Sequence, residues 1–185
     1  MVSHRLFFAL WPTVAEQAAL ADAAAAVLGG ARGGRAVPRE NLHLTHAFLG
    51  SVPDSSLAAL RSVAREIEAT RARVTVVLDR IDYWRRSGIL CATASSPESA
   101  ASDLSNDLKR LLVAARFTPD LKPFRAHVTL ARKVSGSTAP RVLAAVTWTF
   151  AEFRLVESRT GPGGSLYSAL DSWALCEPRG AAEIE

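Results

Sequence analysis

Two short stretches decide how this chain is read: Asn41-Leu42-His43-Leu44-Thr45 and Arg125-Ala126-His127-Val128-Thr129-Leu130-Ala131-Arg132. Each carries a histidine and a threonine two residues apart, and the two lie close to half a chain length from each other. The chain has four histidines, His4, His43, His46 and His127, so half of them fall in this one pattern. In a β-strand, residues i and i+2 project to the same face. His43 is therefore expected beside Thr45 and His127 beside Thr129, with Leu44 and Val128 turned to apolar packing. If the two strands lie side by side about a twofold axis, two imidazoles and two hydroxyls converge on one cleft.

The surrounding sequence supplies the rest of a fold. Arg5–Leu10 is an apolar run stopped by Pro12 and reads as a strand. Thr13 and Glu16 have capping-box spacing, opening a helix that runs to Leu28 and stops at Gly29-Gly30. Gly29–Arg39 reads as a mobile loop and Leu42–Leu49 as a strand. A helix follows Pro53-Asp54, with Leu57, Leu60, Ala64 and Ile67 on one face. Arg73–Ile81 and Ile89–Thr93 read as partner strands across an Arg85–Gly88 turn. Ser96-Pro97-Glu98 starts a helix with the stripe Leu104, Leu108, Leu111 and Leu112. After Ala126–Ala131 the reading is a short helix over Pro140–Ala145, a long β segment over Val146–Val156, a glycine turn at 161–164 and a final strand over Leu166–Leu175. The order after each H-x-T is then alike, which predicts an internal duplication. The expected fold is α+β, with two pseudo-symmetric lobes, each an antiparallel sheet with outer helices, and a cleft between them. All of residues 1–185 are expected to form this single domain.

Composition narrows the function classes. The chain has 185 residues, 49% hydrophobic and 22% charged, with a net charge of +4; the pI is near 9.6. Such a chain is neither fibrous nor wholly disordered, and its mild basic excess favours a polyanionic partner. Two cysteines, Cys91 and Cys176, cannot build a disulfide framework or a Cys-rich zinc site. Both are expected to be small buried hydrophobes in corresponding strands. Leu6–Trp11 is too short for a secretory or membrane segment, so a cytoplasmic protein is expected. The polar tail from Glu177 is expected to fray.

Two imidazoles and two hydroxyls around one small oxyanion suit phosphodiester cleavage without a metal. A neutral imidazole can take a proton from water while a protonated one gives a proton to the departing oxygen. The hydroxyls can donate to the non-bridging oxygens. No H-E-x-x-H or carboxylate-rich motif accompanies the pair.

At these residues the chain resembles a known family. Arg5–Leu10, Asn41–Thr45 with Phe48-Leu49-Gly50, Arg125–Arg132, Val156-Glu157-Ser158-Arg159, the 161–164 turn and Tyr167 are together similar to the 2H phosphoesterase superfamily. The branch they resemble is the RNA 2′,3′-cyclic phosphodiesterases, also called the 2′-5′ RNA ligase family. The resemblance implies a two-lobed fold, no metal and no cofactor, and an RNA or oligonucleotide partner with a 2′,3′-cyclic phosphate end that is opened to a 2′-phosphate. It implies His43 as proton donor, His127 as proton acceptor, Thr45 and Thr129 on the phosphate, and Arg132 against the nucleotide. A monomer with no membrane contact is expected. Related activities, 2′-5′ ligation and cleavage of 2′-5′ linkages, stay open, as does a catalytically silent nucleotide-binding module.

His46 departs from the family pattern, which has an apolar residue there. By alternation it points away from the phosphate, and it is expected to be hydrogen-bonded in a partly buried site. Arg125, Lys133 and Arg159 are further candidates for a phosphate-steering patch. Trp11, Phe48 and Tyr167 are candidates for stacking on a base. His4 is expected to be an exposed terminal residue.

Overall fold

Alternation along Arg5–Leu10 explains where the core sits. A computed structural model describes residues 2–28, 34–68, 70–96, 99–135, 140–161 and 164–176. In its first strand, β1 (Ser3–Leu10), Leu6, Phe8 and Leu10 enter the main core. Phe7 and Ala9 point the other way, into a small cluster with Val156, Trp11 and Tyr167. The main core also takes Leu20, Leu60 and Leu104, one from each helix, and Leu44 and Val128, the middle residues of the two H-x-T motifs. The helices therefore cover the face to which Leu44 and Val128 point, and His43 and His127 belong to the opposite face.

The capping box forms as read. Thr13 N donates to Glu16 Oε2 at 2.8 Å and Glu16 N donates to Thr13 Oγ1 at 3.2 Å, opening α1 (Val14–Leu28). After β2 (Arg35–Ala36) and β3 (Leu44–Pro53), α2 (Leu57–Glu68) buries Leu60, Val63, Ala64 and Ile67. β4 (Val74–Trp84) and β5 (Ile89–Thr93) pair across a turn at 85–88, and α3 (Ser99–Ala114) buries Leu104, Leu108 and Leu112. The chain ends in β6 (His127–Arg132), β7 (Arg141–Phe150), β8 (Glu152–Gly161) and β9 (Gly164–Ala174).

Among the described residues these nine strands form one sheet of order β7-β4-β5-β6-β3-β1-β8-β9, with β2 alongside β6, and every named pair is antiparallel. Leaving β2 aside, four strands of this order stand on each side of the β3–β6 junction, whose register pair is Leu44 with Val128. With a mixed α+β composition and three helices, the architecture agrees with the fold class expected from sequence.

Several local expectations fail. Pro140–Ala145 is not a helix: β7 begins at Arg141 and pairs along β4, with Val142 opposite Arg80 and Val146 opposite Leu78. Arg-Val-Leu-Ala-Ala has helical propensity, but β4 offers a full row of backbone partners and tertiary pairing wins. The matching element order after the two motifs fails with it. The long Val146–Val156 segment is two strands, parted at Ala151. Within Gly29–Arg39, Arg35-Ala36 pairs with Arg132-Ala131 and so is not loop. Gly34 leads into it at φ +100°, where a Cβ would meet Val134 Cγ2 at 2.8 Å. Cys91 is buried in β5, but Cys176 is exposed and lies beyond β9. The expectations for Gly29-Gly30, Pro97-Glu98, Pro162-Gly163 and the tail from Glu177 lie outside the described residues.

Candidate active site

The pairing of Leu44 with Val128 builds the site. Continued one residue either way, this antiparallel register sets His43 opposite Thr129 and Thr45 opposite His127. The four side chains then form a square with the imidazoles on one diagonal and the hydroxyls on the other. His43 stands just ahead of β3 rather than inside it, and His127 is the first residue of β6. All four line one cavity of about 130 Å³, together with Asn41, Arg132 and Tyr167.

Each imidazole is held from behind in the same way. His43 Nδ1 lies 2.8 Å from the carbonyl oxygen of Asn41, and His127 Nδ1 lies 2.8 Å from that of Arg125. A carbonyl only accepts, so both Nδ1 atoms carry the hydrogen and donate it. In the neutral ring Nε2 is then a free acceptor, and in the charged ring it is a donor.

The flanks differ. Trp11 stacks on His43, with centroids 4.8 Å apart and planes 3° from parallel, while Tyr167 meets it edge-on at 5.1 Å and Phe7 lies 5.2 Å away. His127 has one tilted neighbour, Trp84, at 4.6 Å. Burial pushes the His43 imidazole down to about 4, and the Arg132 guanidinium and His127 push the same way. Burial also lowers His127, with Arg125 and Arg132 adding to the effect. Both rings are neutral in the free protein at pH 7.

Arg132 borders the cavity, and no acidic partner holds it among the described residues. The other cations are placed differently. Arg125 pairs with the buried Asp82, which also accepts from Thr93 Oγ1 at 3.1 Å. Arg159 is tied to Glu157 at 2.8 Å. Neither Arg159 nor Lys133 lines the cavity. Trp11 and Tyr167 wall in His43, while Phe48 lies under the Arg5 guanidinium at 4.9 Å.

Two histidines depart from expectation. His4 is not an exposed terminal residue: its Nδ1 is 2.7 Å from Glu157 Oε1 and its Nε2 is 3.2 Å from Asp54 Oδ1, and the Glu157 contact leads in raising its pKa. His46 is buried in the core side of β3, stacked on Phe124 at 4.6 Å, and neither ring nitrogen has a hydrogen-bond partner. Desolvation lowers its pKa to about 3, with the Lys109 charge assisting, so the ring is neutral.

Sequence reasoning did not find Asp82 or Trp84. Asp82 fixes Arg125, whose carbonyl orients His127, and Trp84 packs on that imidazole. Both lie on β4, far along the chain from the second motif, and only the strand pairing reveals them. Among the described residues, no group of three or more His, Cys, Asp and Glu side chains is arranged to hold a metal ion. No helix there is long and apolar enough to cross a membrane.

Comparison with known proteins gives the chain a family. A family model describing the 2′-5′ RNA ligase superfamily matches residues 11–161, which take in both H-x-T motifs. The chain belongs to this superfamily. Two curated members are similar over most of their length. An RNA 2′,3′-cyclic phosphodiesterase of Escherichia coli is 33% identical over 147 residues, covering 78% of this chain and 81% of that protein. One of Thermus thermophilus is 30% identical over 189 residues, covering 98% and 95%. Among solved structures of the superfamily, E. coli LigT complexed with 3′-AMP aligns with a TM-score of 0.86 at 28% identity, over 95% of this chain and all of that one. The family resemblance carried by the motifs is borne out.

Proposed function

We propose that this protein hydrolyses the 2′,3′-cyclic phosphate at an RNA end, leaving a 2′-phosphate. The observation that carries the reading is the square of His43, Thr45, His127 and Thr129 around one small cavity, with both Nδ1–H groups tied back to carbonyls. The curated relatives named RNA 2′,3′-cyclic phosphodiesterase support the choice of substrate.

A cyclic phosphate seated in the square has an imidazole on each of two opposite sides, the arrangement that in-line displacement needs. On one side His127 Nε2 accepts a proton from water as the water oxygen bonds to phosphorus. On the other, the P–O3′ bond breaks and His43 Nε2–H protonates the departing oxygen. The products are a 2′-phosphate and a free 3′-hydroxyl, and the two imidazoles exchange protonation states until solvent resets them. Thr45 and Thr129 donate to the non-bridging oxygens, and Arg132 adds positive charge beside them. His43 is neutral when the site is empty, so it takes up its proton with the substrate, whose anionic phosphate favours the imidazolium. Arg132 also lies against the nucleotide. The protein acts in the cytoplasm as a monomer and without a metal or cofactor.

The test is incubation of the pure protein, in EDTA, with a short RNA bearing a 2′,3′-cyclic phosphate, the product being read by ³¹P NMR. The expected product is the 2′-phosphate, at a rate unaffected by chelation. A 3′-phosphate would exchange the two ester oxygens in the mechanism. Substrate that binds and is not turned over would replace the enzyme by a nucleotide-binding module.

A further inference from the structure

The carbonyl that receives His43 Nδ1–H stands outside the sheet. Asn41 ends a single 3₁₀ turn, Arg39–Asn41, and the register pairs of β3 begin only at Leu44. The peptide planes there are held from a helix instead. Gln17 is buried on α1, on its inner face with Leu20 and Ala24. Its Nε2 donates to the carbonyl of Glu40 at 3.1 Å and to that of Leu42 at 3.2 Å. The carbonyl between those two, that of Asn41, is the one that takes His43 Nδ1–H at 2.8 Å. The helix is itself docked: Trp148 Nε1 donates to the Glu16 carbonyl at 3.0 Å and Thr149 N to Glu16 Oε1 at 2.9 Å. Contacts therefore run from β7 through α1 to His43. His127 is served from elsewhere, since its carbonyl belongs to Arg125, which Asp82 of β4 holds.

The amide suits this place by its chemistry. Two carbonyls facing one side chain need two hydrogens, and an NH2 group supplies both. A polar side chain on the buried face of a helix is unfavourable unless it is bonded, and both bonds from Nε2 go to the turn that leads into His43. Their effect reaches the ring. In the imidazolium both nitrogens carry hydrogen, and a carbonyl on Nδ1 decides that the proton given up is the one on Nε2. Burial lowers the His43 imidazole, and the Asn41 carbonyl pulls it back up.

We propose that Gln17 is a positioning residue for the acid of the reaction: by pinning the peptides on either side of the Asn41 carbonyl, it keeps His43 Nδ1–H bonded and Nε2 turned to the catalytic cavity. The proposal rests on the phosphodiesterase reading above, with His43 as donor. The experiment compares the wild type with Gln17→Met, of similar volume and without a donor, and with Gln17→Asn, which keeps the amide and draws it back by one methylene. Leu20→Val thins the same face of α1 and changes no hydrogen bond to the turn. On the cyclic-phosphate RNA, kcat is expected to fall in both Gln17 variants with KM little changed. In Gln17→Met the fall should be about tenfold or more, toward the 10²-fold that a displacement of about 1 Å costs. Leu20→Val should lower Tm and leave kcat near that of the wild type. In ¹⁵N-resolved NMR at neutral pH, wild-type His43 is expected as the Nδ1–H tautomer and the Gln17 variants as a mixture, with His127 unmoved.

Wild-type kcat in both Gln17 variants, or an unaltered His43 tautomer, would overturn the proposal. So would an equal loss of kcat in Leu20→Val, since packing of the helix and not the amide would then be responsible. A tautomer change shared by His127 would overturn it too, as the effect would belong to the whole site. Absence of turnover in the wild type would overturn the phosphodiesterase reading instead. The NMR comparison needs no substrate, so it would still decide whether Gln17 holds His43.

Discussion

His43 and His127 stand in equivalent places and in unequal surroundings. Each is held by a carbonyl two residues earlier and faces a threonine of the other motif. Around His43, however, Trp11, Tyr167 and Phe7 close an aromatic box, whereas His127 has Trp84 on one side and the Arg125 backbone behind it. Short motifs place the two rings, and residues distant in sequence differentiate them. The drier imidazole, lowered to about 4, is the stronger acid once protonated. A ring so readily deprotonated suits the proposed part of His43, which must give up its proton to the leaving oxygen once the substrate has brought it there.

Removing either ring is the most severe way to break the comparison. His43→Ala and His127→Ala are each expected to lower kcat by about 10²–10⁴-fold, measured on the cyclic-phosphate RNA with folding checked by circular dichroism. A leaving group of low pKa needs no acid, so it should restore His43→Ala and not His127→Ala. Restoration of the wrong variant would reverse the roles. Thr45→Val and Thr129→Val come next, each expected to cost about 10²-fold. The two hydroxyls occupy one diagonal of the square, so their effects should be similar. A large inequality would show that the phosphate sits off centre.

The pH profile sharpens the contrast. Both imidazoles titrate below 6.5, so the one-proton state that does the chemistry becomes scarce at alkaline pH. The kcat/KM profile is expected to be bell-shaped with its maximum below pH 6.5, falling about tenfold per unit above it. Trp11→Leu admits water beside His43, and its imidazole should rise from about 4 by roughly one unit or more, followed by NMR titration. Trp84→Leu should move His127 less. Equal shifts would mean that the box is not the source of the asymmetry.

The smallest effect concerns His46, whose two unpartnered ring nitrogens sit in the core. His46→Leu removes them and is expected to stabilise the fold by about 1–3 kcal/mol at pH 7, raising Tm by several degrees. The sign with pH follows from a folded-state pKa of about 3 against an ordinary 6.5. The unfolded chain takes up the proton first, so wild-type stability is full above about 6.5 and falls as the pH drops toward 3. The variant should lose less over that window, as chemical denaturation at several pH values would reveal.

How much of this was legible in sequence depended on distance along the chain. The capping box, the α2 and α3 stripes and the β4–β5 hairpin are local patterns, and they formed as read. The site core was legible because repetition of H-x-T substitutes for a long-range contact. Residues 140–145 were misread because their propensity is outweighed by β4, a partner some sixty residues away. Asp82, Trp84 and the stacking of Trp11 on His43 carry no local signature at all. His46 was placed on the correct side of its strand, but its lack of a hydrogen-bond partner is a property of the packed core.

The place of β1 also has a consequence for chains that stop early. Leu6 to Leu10 are buried because β3 flanks one side and β8 the other. A polypeptide truncated before Glu152, or still being translated at that point, has β3 in hand and no β8. Leu-Phe-Phe-Ala-Leu then presents an open, uncharged row of backbone donors and acceptors, the kind of edge that pairs with other chains. Nonsense fragments of this protein are accordingly expected to aggregate through their first strand.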